Sequence, residues 1–137
     1  MKKILIASHG HLASGIKSSL QILTGMTDEI TTIDAYVDEH DYVADIKQYV
    51  EEIGNDPAII FTDLFGGSVN QKVMLEVAGH DNIFVVSGTN LPIVLSVLLD
   101  EQELTKSHLE ELIGMSQVQL VEVEPNDDDL SDDSFLS

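Results

Sequence analysis

The 137-residue chain has no cysteine, no arginine and only three prolines. Without cysteine there are no disulfides, no thiolate metal ligands and no thiol nucleophile, which suits a reducing cytoplasm. No apolar stretch approaches the roughly 18 residues that a membrane-spanning helix needs. After Met1-Lys2-Lys3 the apolar run is only about five residues long and lacks a small-residue cleavage site, so it reads as a first strand and not as a secretion signal. Positive charge is scarce. Six lysines face 25 acids, for a net charge of -19, and because six of the acids fall in residues 124–137 the rest of the chain still stands near -13. That balance argues against nucleic acid as a partner, since there is no basic surface to displace its counterions. It favours a basic protein partner, through complementary potentials, although acidity of this kind also serves solubility alone. A dinucleotide-binding glycine fingerprint is missing as well.

What is present is a regular alternation. At 43% apolar residues the composition is that of one globular domain. Residues 3–8 read as a strand. Residues 11–24 read as a helix with Leu12, Ile16, Leu20 and Leu23 on one face and Gly25 as its stop. Strands at 29–34, 57–62 and 82–87 alternate with helices at 40–53 (Val43, Ile46, Val50 and Ile53 inward) and 68–78 (Val69, Val73 and Val77 stacked). A helix at 91–100 has Pro92 in its first turn, where a missing N–H is harmless. A helix at 105–114 follows, and 117–123 alternates like a fifth strand. Residues 1–123 are therefore read as one domain, and 124–137, rich in aspartate and serine after Pro125, as a disordered tail or the start of a linker.

Such an order implies an α/β fold with an open, flavodoxin-like sheet, parallel in its first four strands in the order 2-1-3-4. The first and third strands are continuously apolar, as central parallel strands are. Ligands of such sheets sit beyond the carboxyl ends of the strands, where the strand order reverses. The residues leaving the first and third strands there are His9 and Asp63, 54 positions apart in sequence.

Together they suit nucleophilic histidine chemistry. A neutral imidazole attacks phosphorus with one nitrogen while the other keeps its proton. A carboxylate accepting that N–H fixes the tautomer and offsets the positive charge that develops on the ring. Gly66 and Gly67 allow the backbone to approach a phosphoryl group closely, and Ser68 is expected at the N-cap of the helix whose amides favour an anion. Gly10 and His11, opening the helix after His9, are expected to add a second set of donors at the rim of the phosphate site. Positioning and electrostatics do most of the work of phosphoryl transfer between nitrogens, so neither a metal nor another cofactor is expected.

Other patterns mean less. Gly10 to Ser18 nearly spells a phosphate-binding loop, but Ile16 separates Gly15 from Lys17 and turns the lysine away. His9-Gly10-His11 lacks a third metal ligand other than Asp63. His40 reads as a helix-start residue and His80 and His108 as solvent-facing. Asp34 and Asp41 read as turn and capping residues. The apolar stretch Leu91 to Leu99 is either core or a dimer surface.

The segments Ile4-Leu5-Ile6-Ala7-Ser8-His9-Gly10, Phe61-Thr62-Asp63-Leu64-Phe65-Gly66-Gly67-Ser68 and Ser87-Gly88-Thr89-Asn90-Leu91-Pro92 resemble, in order and spacing over residues 1–123, the IIA component of the mannose-family sugar phosphotransferase system. The resemblance implies a phosphotransferase that takes a phosphoryl group from HPr on Nε2 of His9. It then passes the group to a IIB component during sugar uptake through membrane IIC and IID components. It also implies that Asp63 pairs with the histidine, that Ser68 lies at the phosphate, and that the protein is a homodimer whose last strand, Val118 to Val123, is exchanged antiparallel onto the partner's sheet. Many relatives have proline after the serine, where this chain has Val69. Three other functions stand beside this one: the phosphocarrier of a dihydroxyacetone kinase, a receiver-like signalling domain phosphorylated on Asp63, and a binding module without turnover. A receiver needs an acidic pair at the end of its first strand, where Ser8-His9 stands here.

Overall fold

A computed structural model describes residues 2–123. The order is β1 (Lys3–His9), α1 (Leu12–Thr24), β2 (Ile30–Ala35), α2 (Tyr42–Ile53), β3 (Ala58–Thr62), α3 (Ser68–Val77), β4 (Ile83–Ser87), α4 (Leu91–Leu99) and α5 (Lys106–Gly114). The four strands form one parallel sheet in the order β2-β1-β3-β4, as the alternation of elements requires. Among the described residues no helix is long and apolar enough to cross a membrane.

Strand alternation divides the core in two. Ile4 and Ile6 of β1, with Ile59 and Phe61 of β3, face α1, α4 and α5 and pack on Ala13, Ile16, Leu20, Ile93, Val94, Val97, Leu109 and Leu112. Leu5 and Ala7, with Ala58 and Ile60, face α2 and α3 and pack on Ile46, Val50, Val69, Val73 and Val77. The sheet is thus covered on both faces, which is why its central strands are apolar throughout. Phe61 is fully buried, and removing its ring would cost about 3–5 kcal/mol.

Several helix details differ from the sequence reading. On α1 the inward stripe is Ala13, Ile16 and Leu20, while Leu12 and Leu23 are exposed. Both lie off the arc that the sheet covers, and leucine's good helix propensity lets it stand in solvent. Helix α2 begins after Asp41, whose carboxylate accepts from the Val43 and Ala44 amides, a cap worth about 1 kcal/mol. His40 therefore lies outside the helix and pairs with Asp45 instead. His108 is not solvent-facing. Its ring is largely buried, with Nε2 2.8 Å from Asp100, which also takes the Lys2 ammonium at 2.8 Å. Helix α4 buries Ile93, Val94 and Val97 and leaves Leu99 exposed, so most of the apolar Leu91–Leu99 run is core.

The expected fifth strand does not form within the single chain. Residues 117–123 pair with no strand, and Val118, Leu120, Val121 and Val123 are all exposed. Alternation marks a segment able to pair but does not supply the partner. The tail or linker read at 124–137 lies outside the described residues.

Candidate functional site

Three strand exits meet at one edge of the sheet. Parallel register sets Ala7 beside Thr62 and His9 beside Ala35, so the residues following β1, β2 and β3 emerge together. Ser8, the penultimate residue of β1, is buried and its Oγ accepts from the Ala13 amide at 2.8 Å, tying the strand end to the first turn of α1. Gly10 makes the intervening turn at φ 59°, and its amide donates to the Ala35 carbonyl.

Asp63 receives His9. Its Oδ2 accepts the His9 backbone amide at 2.8 Å and lies 2.9 Å from ring Nδ1, while Oδ1 accepts the Leu64 amide. The carboxylate side chain is 9% exposed and the imidazole 40%, so the pair is rooted at the acid and open at the ring. Burial alone would raise the Asp63 pKa, but the hydrogen bonds from the His9 amide and ring outweigh it and hold the carboxyl below its ordinary range. An ionised acceptor at Nδ1 selects the tautomer with the proton there and leaves the lone pair on Nε2, on the open side.

The Asp63–Ser68 loop closes on that lone pair. Gly66 sits at φ 77°, a conformation that favours glycine. Its amide donates to Asn70 Oδ1, and Asn70 Nδ2 in turn donates to the buried Thr62 hydroxyl. Gly67 is closely packed: a Cβ would lie 3.3 Å from the Leu64 carbonyl oxygen, a tight contact, and 3.6 Å from His9 Cε1. Gly67, not Ser68, is the N-cap of α3. Ser68 is the first helical residue, so its hydroxyl is not used in capping. It stands 3.3 Å from His9 Nε2. No side chain caps α3, leaving its first-turn amides available to an anion.

The exit of β2, which sequence reasoning passed over, adds two tyrosines. The ring of Tyr36 stacks on His9 with centroids 5.4 Å apart and planes at 25°. Its hydroxyl is 2.8 Å from Ser68 Oγ and 3.1 Å from the hydroxyl of Tyr42. Burial, then the contact with Tyr36, pushes the Tyr42 pKa up to about 12, while the contacts with the Ser68 and Tyr42 hydroxyls lower that of Tyr36. The signal was present: in a 2-1-3-4 sheet the residue after β2 lies beside the residue after β1.

Other expected residues have different partners. The His11 ring is mostly exposed and is held by Asp34 at 3.1 Å. Asp34 does more than cap or turn: it also accepts from the Ser14 amide and hydroxyl, anchoring α1 to β2. Burial opposes its ionisation, but the Ser14 and His11 bonds prevail and lower its pKa. With the Ala13 and Ser14 amides taken by Ser8 and Asp34, the second set of anion donors expected at α1 is largely occupied. His9, His11 and Asp63 do not converge, and among the described residues no three His, Asp or Glu side chains gather as a metal site. The Ser87-Gly88-Thr89-Asn90 turn is structural. Thr89 bonds the Thr62 carbonyl through its amide and hydroxyl, and Asn90 caps α4.

The site is an open surface. Two cavities, about 440 Å³ between β2 and α2 and about 850 Å³ beside the end of α4, include neither His9, Asp63 nor Ser68. Instead the loop presents Leu64 and Phe65 to solvent, Phe65 almost fully.

Residues 3–126 match the family model EIIA-man, described as "PTS system fructose IIA component". The PTS system fructose-specific EIIA component of Bacillus subtilis is 27% identical over 121 residues, covering 85% of this chain and 83% of the relative. The mannose/sorbose-specific IIA subunit of the phosphotransferase system from Enterococcus faecalis superposes with a TM-score of 0.78 at 26% identity, covering 92% of this chain and 99% of that one. The PTS IIA protein associated with the fucose utilization operon of Streptococcus pneumoniae gives a TM-score of 0.74 at 26% identity, covering 84% and 88%.

Proposed function

This chain belongs to the mannose-type IIA family of the sugar phosphotransferase system, and from that membership we propose that His9 is its phosphoryl carrier, loaded by HPr and unloaded onto a IIB component. The observation that carries this reading is the arrangement of the ring: Nδ1 on an ionised Asp63, Nε2 beside the Ser68 hydroxyl on the open side. In the loading step the Nε2 lone pair attacks the phosphorus of the donor's phosphohistidine. The P–Nε2 bond forms as the donor's P–N bond breaks, and that electron pair returns to the donor imidazole. His9 keeps its Nδ1 proton, and Asp63 offsets the charge that the ring gains. Unloading is the same exchange onto the acceptor. No proton has to leave the site in either step.

The protein-sized partners fit the surface. His9 lies outside the two cavities described above and beside the exposed Leu64 and Phe65, an apolar anchor within an acidic exterior that would steer a basic donor. The exposed apolar residues of 117–123 suit exchange of a strand with a second copy, giving a homodimer. A cytoplasmic place follows from the role. A receiver-like role for Asp63 is disfavoured, because its Oδ2 already accepts two hydrogen bonds and its side chain is nearly buried.

The test is phosphorylation with enzyme I, HPr and radiolabelled phosphoenolpyruvate. An acid-labile, base-stable label should appear on the wild type and be absent from His9→Ala. A label that persists in that variant overturns the assignment. Chasing the label into a IIB protein or a dihydroxyacetone kinase subunit separates the sugar-uptake role from the kinase one.

A further inference from the structure

Tyr36 is held at the site by something other than burial. It is 59% exposed. It is the only non-glycine residue with positive φ among those described, at 67°, a conformation unfavourable for a bulky residue that persists where surrounding groups hold it. Those groups are His9, under its ring, and the hydroxyls of Ser68 and Tyr42.

The direction of hydrogen bonding along this row is fixed from its far end. In the neutral ring that acts as phosphoryl acceptor, Nδ1–H donates to Asp63, so Nε2 has a lone pair and no proton. The Ser68 hydroxyl must then donate to Nε2, the Tyr36 hydroxyl to Ser68 Oγ, and the Tyr42 hydroxyl to Tyr36. Tyr36 thus occupies the acceptor side of Ser68 and leaves it only a proton to present. When Nε2 takes a phosphoryl group its lone pair is consumed, and the phosphoryl oxygens on the same nitrogen become the acceptors for that proton.

Resting on the reading of His9 as the phosphoryl acceptor, we propose that Tyr36 is a positioning residue for the phosphohistidine: its ring covers one face of the imidazole, and its hydroxyl sets Ser68 as a donor to the phosphoryl oxygens. The bound group is held in one orientation and shielded from water on the tyrosine side, so the phosphorylated form survives longer between its two protein partners.

The experiment uses potassium phosphoramidate, which needs no partner protein: Nε2 attacks its phosphorus and ammonia leaves. Phosphohistidine decay is followed by phosphorus NMR in wild type, Tyr36→Phe and Tyr36→Leu. Decay is attack of water on phosphorus, with the P–Nε2 electron pair returning to the ring. The phenylalanine variant keeps the stack and loses the hydroxyl; its lifetime is expected to fall about threefold. The leucine variant loses both and is expected to fall about tenfold. In the unphosphorylated proteins, the nitrogen NMR shift of His9 Nε2 should move in both variants as the Ser68 bond weakens, which a purely structural role would not produce. Equal lifetimes and unchanged Nε2 shifts in folded variants overturn the proposal, as does failure of phosphoramidate to modify His9. If wild type reacts with phosphoramidate and the lifetimes fall in the stated order, but HPr transfers nothing, the carrier function fails while the role of Tyr36 stands.

Discussion

A single oxygen of Asp63 holds His9 at two points, the backbone amide at 2.8 Å and ring Nδ1 at 2.9 Å. One carboxylate atom therefore fixes both where the histidine backbone sits relative to β3 and which ring nitrogen is left free. Position and tautomer cannot be changed separately.

Replacing that carboxylate by its amide tests the coupling. Asp63→Asn keeps the shape but removes the charge that, in the proposed role, would offset a phosphorylated ring, and its NH₂ can face Nδ1 and reverse the tautomer. The initial rate of phosphoryl transfer from HPr to His9 should fall about a hundredfold or more. Circular dichroism should show an intact fold, since charge-for-amide exchange leaves the loop packing in place.

The buried Asn70 side chain should matter to stability although it touches no reacting atom. Asn70→Ala would leave the Gly66 amide and the Thr62 hydroxyl without their partners, a cost of about 2–3 kcal/mol. Thermal unfolding should shift down by about 5–10 °C, and labelling of His9 should slow because Gly66 and Gly67 are no longer held.

Stability should depend on pH through His108. Its bond to Asp100, helped by Glu111 and opposed by burial, raises its pKa above the ordinary 6.5. Because the folded value exceeds the unfolded one, this contribution is complete below about 6.5 and is lost as pH rises through the folded value. Melting temperature should fall over that window in wild type and stay flatter in His108→Gln. At the acid end the sign reverses: the lowered pKa values of Asp63 and Asp34 add stability above about 3.9 that disappears as pH falls through their folded values.

The 117–123 segment supplies a test of assembly. If its apolar residues pair with a second chain, sedimentation should give a mass of two chains for wild type. The double variant Val118→Asp, Leu120→Asp should give one, with far-UV dichroism little changed because the four-stranded sheet needs no part of the segment. A monomeric wild type would count against the exchanged strand.

What could be read from residues alone followed locality. The parallel order came from alternation, and the His9–Asp63 pairing came from asking which residues leave adjacent strands. Ser68 is the first helical residue and not the expected N-cap, since serine's capping preference outranks glycine's only slightly and Gly67 takes the extended N-cap conformation. Tyr36 follows β2, whose exit carries no residue type that by itself points to phosphoryl chemistry, so only its place beside the exit of β1 marks it. His108 was misread because its partners, Asp100 and Lys2, meet only when the amino-terminal strand lies beside the end of α4. Residues 117–123 pair with no strand of their own chain, and a pattern within one chain does not display a partner outside it.

The order of the sheet also has a consequence in time. Among the described residues every strand pairing lies between Lys3 and Ser87, and each β-α-β unit joins neighbours in sequence or one strand removed. All four strands, with His9, Asp63 and Ser68, precede the 117–123 segment along the chain, so sheet pairing does not have to wait for that segment. If 117–123 pairs with a second chain as proposed, a first-order step that forms the four-stranded sheet would precede a second-order step between chains. Refolding should accordingly show a phase independent of protein concentration, followed by one that accelerates with it.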